Sequence, residues 1–168
     1  MNILPPLSDW PAQLRALAGL FTAIALFGFI CGFLFLDVTT HLTPDGIITH
    51  YNGLPEAALD AGGELKFEKS LKDMLTTTHN HVLGLAGPFF LIGFLYLLCG
   101  PLNRRRTMVA LEPLCALLIT FGGIWIVRFV YPPFAYLVML SGILMVGSYV
   151  WMSLVILRAC MRISRSNN

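Results

Sequence analysis

The residues of this chain best suited to chemistry are four histidines, His41, His50, His79 and His81, all between its first two long apolar segments. Imidazole is the usual side-chain ligand for haem iron, copper and zinc, so their grouping points to a cofactor. His81 opens the second apolar segment. Gly84 and Pro88 continue its helical face at i+3 and i+7, aiming the ring at a glycine-lined level of a bundle. His79 stands about 200° around a regular helix from His81, so both cannot hold one ion unless Thr78 is an N-cap that relaxes the first turn.

Two cofactor sets follow. For a b-type haem, His81 is the primary axial ligand and His50 or His79 the second, with His41 or Met139 as further choices and Arg128 as the partner of an anionic propionate. For copper or zinc, His41, His50, His79 and His81 supply the nitrogens, helped by Asp45, Glu68 or Asp73. No spacing here matches a specific metal signature. The competing reading is structural: imidazoles that hydrogen-bond at the lipid–water boundary, and an Arg128 that snorkels to it.

The elements that must position these residues are membrane helices. Of 168 residues, 57% are hydrophobic and only 12% are charged. A soluble domain would carry roughly twice that charge. Four apolar segments reach the length of about 20 residues needed to span hydrocarbon: about 14–36, 82–99, 108–127 and 134–157. The expectation is an all-α membrane protein, an antiparallel four-helix transmembrane bundle forming a single domain over 1–168. A structured external loop, 37–77, joins helices 1 and 2. The first apolar run exceeds the h-region of a signal peptide and no small-x-small site follows, so it reads as a retained helix.

Basic residues set the orientation. Arg15, Arg104, Arg105, Arg106, Arg158, Arg162 and Arg165 fall on one side if the helices alternate, which the positive-inside rule assigns to the cytoplasm. Both termini are then cytoplasmic, in a multi-pass protein of a bacterial inner membrane. The histidines and the loop face outward. The arginines meet lipid headgroups, and nothing suggests nucleic acid.

Within the loop, Thr43-Pro44-Asp45-Gly46 reads as a turn, and Ile47 to Gly53 as an extended or one-turn piece. Pro55–Ala61 suits a short helix broken at Gly62-Gly63. Phe67, Leu71, Met74 and Leu75 carry amphipathic helical spacing that bends into, or continues as, the second span. Gly28 and Gly32, Gly84 and Gly87, Gly122 and Gly123, and Gly142 mark close helix packing or room for something flat. Cys31, Cys99, Cys115 and Cys160 form no CxxC pair, so neither a disulfide framework nor covalent haem attachment is supported. Glu112 is placed in the first turns of the third span. With no carboxylate near a span centre, a pump or coupled transporter is set aside.

Thr43-Pro44-Asp45-Gly46-Ile47, His50-Tyr51-Asn52-Gly53 and Thr78-His79-Asn80-His81 together resemble a pattern in small uncharacterised four-span bacterial inner-membrane proteins. The resemblance implies that His50, Tyr51, His79 and His81 belong to one outer site, and implies no activity. Two functions are expected. The first is a haem- or metal-binding component passing electrons between the quinone level and an external redox protein. The second is a cofactor-free accessory or assembly subunit of a larger membrane complex, docked through its small-residue faces.

Overall fold

The computed structural model describes residues 5–54 and 66–161. The short helix expected at Pro55–Ala61, and Arg162 and Arg165, lie outside the described residues. Among the described residues five α-helices follow in order: α1 Ala12–Thr40, α2 Pro44–Asn52, α3 Leu71–Leu97, α4 Arg104–Phe129 and α5 Ala135–Met161. Single 3₁₀ turns at Leu7–Asp9 and Pro132–Phe134 precede α1 and α5. α1, α3, α4 and α5 with its preceding turn are long and apolar enough to cross a membrane. They alternate in direction, so the chain is an all-α, antiparallel four-helix transmembrane bundle and an integral membrane protein. One end carries Arg104–Arg106 and the other carries α2; we call these the arginine end and the loop end.

Local chemistry sets the helix starts. Ser70 caps α3 through a capping box: its hydroxyl accepts from the Asp73 amide at 3.2 Å, and the Asp73 carboxylate accepts from the Ser70 amide at 3.2 Å. The amphipathic turns from Leu71 therefore continue as the second span in one helix. Thr78 is a mid-helix residue and not an N-cap; its hydroxyl accepts the Trp125 indole N–H at 2.8 Å. Asn103 caps α4 by accepting from the Arg106 amide at 2.9 Å.

The bundle centres on α4, which packs on α5 and α3. A Cβ on Gly93 would lie 2.9 Å from the Ala110 carbonyl oxygen, and one on Gly123 would lie 2.6 Å from a Val138 methyl. Glycine at both places lets the backbones approach. Between them, the Thr120 hydroxyl donates to Ser141 (3.1 Å), which donates to the Ala116 carbonyl (3.2 Å). α1 attaches through Phe29, whose ring meets Tyr149 at 4.5 Å and Phe89 at 5.8 Å between centroids. Gly28, Gly32, Gly84, Gly87, Gly122 and Gly142 have nothing among the described residues within 4 Å of an added Cβ.

Candidate functional site

The loop end is built around α2. The sequence Thr43-Pro44-Asp45-Gly46 opens a nine-residue helix and does not form the expected free-standing turn. Thr43 is the N-cap, accepting from the Gly46 amide at 3.0 Å, and Pro44 takes the first helical position, where its missing N–H costs nothing. A Cβ on Gly46 would fall 1.7 Å from the Thr40 carbonyl oxygen, so only glycine allows α2 to fold back against the end of α1. Gly53 then turns the chain with φ of +79°.

α2 is tied down by residues distant in sequence. Asn52 donates to the Val127 carbonyl at 3.2 Å. The Leu54 amide donates to the Lys66 carbonyl (3.0 Å), and the Lys69 amide to the Tyr51 carbonyl (2.9 Å). From α4, Arg128 reaches over this junction. Its Nε donates to the Lys69 carbonyl at 2.9 Å, and its guanidinium pairs with Glu68 at 3.0 Å. Arg128, read from sequence as the partner of a haem propionate, thus has an anion inside the chain and acts as a clasp between α4 and residues 66–70.

The four histidines occupy four surroundings. His41 terminates α1 in a left-handed conformation (φ 51°) and is exposed. His50 is half-buried, edge-to-face on Tyr51 at 4.9 Å, in an open cleft of about 330 Å³ shared with Lys66, Phe67, Glu68, Lys69 and Asp73. His79 lines a second, shallower cleft of about 360 Å³ with Leu75, Thr76 and Asn80. His81 is exposed and does not point into a packed interior; its ring stacks on Phe121 of α4 at 5.0 Å between centroids. His81 Nδ1 lies 2.8 Å from the Thr77 carbonyl, an arrangement in which Nδ1 carries the proton and Nε2 is the free lone pair.

Electrostatics separates His50 further. Burial, then Lys69, then Lys66 hold its pKa below the ordinary 6.5. The ring is neutral, but the same two ammonium groups repel an incoming metal cation. Burial pushes the Tyr51 phenol up to about 12, so it stays a protonated donor. Among the described residues, no group of three or more His, Cys, Asp or Glu side chains is placed to hold a metal ion. His41, His50, His79 and His81 do not converge, and neither cleft contains His81.

One polar pair escaped the sequence reading. Glu112, expected near the end of a span, reaches across to α5, where the Ser148 hydroxyl is hydrogen-bonded to its carboxyl group. About 9 Å of helical rise separates it from Arg106, and about 24 Å from Arg128. Its neighbour on α5, Tyr149, belongs to the aromatic cluster with Phe29 and Phe89. Glu112 therefore sits in the early turns of the spanning helix α4, where the sequence placed it, and what the sequence did not show is its partner Ser148. A signal was present: Glu112 lies more than a helical turn inside the Arg104–Arg106 run.

A family model described as a transmembrane helical domain matches residues 41–167, and the chain belongs to that family. No curated protein and no solved structure matches it.

Proposed function

We propose that this member of the transmembrane helical family is a cofactor-free accessory or assembly subunit of a larger membrane complex. The observation that carries the reading is α1. It is the most apolar of the four spanning helices, yet only 6% of its most apolar stretch is buried. Its Gly28 and Gly32, one turn apart, front open space. A small-xxx-small face lets a second transmembrane helix approach closely, with van der Waals contact replacing mobile lipid. In this reading the loop end, clasped by Arg128, faces the outer side of a bacterial inner membrane and the arginine end faces the cytoplasm.

The test places a photo-crosslinking residue at Phe27 in native membranes. Capture of one protein neighbour, a native-gel migration larger than the monomer, and loss of both on Gly28→Leu support the reading. Labelling of lipid alone, with monomer-sized migration, overturns it.

A second reading rests on His81. Its Nδ1 is engaged by the Thr77 carbonyl, which orients the ring and leaves Nε2 as the free lone pair, the arrangement common in metal-ligating histidines. In that reading His81 ligates b-type haem, or failing that copper or zinc, with a ligand from His50 or His79, and exchanges electrons with quinone or an external redox protein. A reduced-minus-oxidised visible spectrum decides on haem. Sharp bands lost in His81→Ala favour it and a flat spectrum removes it, with elemental analysis deciding copper or zinc.

A further inference from the structure

We propose that Glu112 and Ser148 form an intramembrane proton-binding site, in which a neutral Glu112 carboxyl donates to Ser148 and Ser148 donates to the Met145 carbonyl. The hydrogen count supports this polarity. Ser148 Oγ has two oxygen neighbours, the Met145 carbonyl at 3.1 Å and the Glu112 carboxyl, but only one hydroxyl hydrogen. With Glu112 ionised, both neighbours are acceptors and one contact lacks a hydrogen. With a proton on Glu112, each contact has one.

Among the described residues, Glu112 forms no ion pair. Arg106, the nearest cation along α4, donates to the Tyr96 carbonyl and lies 4.2 Å over the Tyr96 ring. Arg15 and Asp37 lie toward the ends of α1, Lys72 and Asp73 in the first turn of α3, and Arg158 in the last turn of α5. The titratable groups closest to the pair along its own helices are Tyr149 beside Ser148 and Cys115 one turn beyond Glu112. An ionised carboxylate that is half-buried on a spanning helix, with one hydroxyl partner, is costly; the neutral acid is much less so. Position and hydrogen-bond pattern thus agree on a site whose ligand is a proton.

The reagent that reads this state is a membrane-soluble carbodiimide, which reacts with protonated carboxyls in hydrocarbon. On the full chain in lipid nanodiscs, dicyclohexylcarbodiimide at neutral pH gives an adduct mapped to Glu112, falling as pH rises and absent from Glu112→Gln. A water-soluble carbodiimide with glycine ethyl ester modifies loop carboxylates and spares Glu112. No adduct on Glu112, or equal labelling by the water-soluble reagent, overturns the proposal. Infrared spectroscopy checks it without labelling. The wild type shows a carboxylic C=O band at neutral pH that is missing in Glu112→Gln and moves to higher frequency in Ser148→Ala. Absence of the band, or no shift in Ser148→Ala, overturns it.

Discussion

α1 and α4 are both membrane helices, and they obey opposite statistics. α1 has a mean hydropathy of 2.4 over its most apolar stretch with 6% of that stretch buried, whereas α4 has 1.9 with 39% buried. In water the more apolar helix would be the better buried. In a bilayer, lipid tails are as apolar as Leu, and moving a side chain from tail to protein gains little. α4 is central because Ala110, Ala116 and Gly123 permit close approach and because Thr120, Ser141 and the Ala116 carbonyl hydrogen-bond across it. α1 is held by Phe29 and a few other contacts, among them Phe21, Ala18 and Thr22, and turns a long face to its surroundings.

The sharpest way to break that contrast is a matched pair of glycine substitutions. Gly123→Leu forces a side chain into Val138 and Phe134 and is expected to cost about 3 kcal/mol, the upper part of the overpacking range. Gly28→Leu meets nothing and is expected to change stability by less than about 0.5 kcal/mol, as exposed substitutions do. Reversible unfolding in mixed micelles measures both. Equal losses would mean that α1 is held as tightly as α4.

Next in size is the clasp. Arg128→Ala removes a charge-assisted bond to the Lys69 carbonyl as well as the Glu68 pair, an expected loss of about 2 kcal/mol. Glu68→Gln leaves the carbonyl bond in place and touches only a pair whose acid side chain is 68% exposed, so about 0.5 kcal/mol is expected. Protease cleavage between Lys66 and Lys69 reports the opening. A Glu68 effect as large as that of Arg128 would show that the ion pair, and not the backbone bond, holds the loop end. Smaller again is Thr78→Val, which leaves the half-buried Trp125 indole N–H without its partner, for about 1 kcal/mol and a shift in tryptophan emission.

What could be read in advance depended on the range of the interaction. Long apolar runs specify spanning helices because each satisfies its own backbone, and the four helices follow. The Ser70–Asp73 capping box is a local signal at the start of α3, and the amphipathic spacing that follows it was legible. Thr43-Pro44-Asp45-Gly46 was misread because proline's fixed φ suits the second position of a turn and the first of a helix equally. What decides is Gly46 against the Thr40 carbonyl, a contact made only when α2 folds back. The histidines share a segment of sequence, but helix rotation and loop path send their rings to different places, and no local pattern encodes that. Arg128 with Glu68, and Glu112 with Ser148, pair across tens of residues. A single sequence shows such partners only as isolated charges.

The smallest expected effect contrasts the two regions in their response to acid. His50 in the folded chain titrates below the ordinary 6.5 because of burial, Lys69 and Lys66, whereas unfolded it titrates near 6.5. Between those two values the open state binds a proton that the closed state does not, so stability falls as pH drops through this window. It levels off below the folded value and is independent of His50 above about pH 7. Hydrogen exchange at the α2 amides Ile47–Asn52, corrected for intrinsic rates, should therefore quicken on acidification from neutral toward pH 5. The middle of α1, which carries no titratable group between Arg15 and Cys31, should show no such slope. His50→Asn should flatten the α2 profile. Lys69→Gln should weaken it more than Lys66→Gln, in the order of their influence on the ring. A slope that survives His50→Asn would place the acid sensitivity of the loop end elsewhere, with the Arg128–Glu68 clasp the next group to vary.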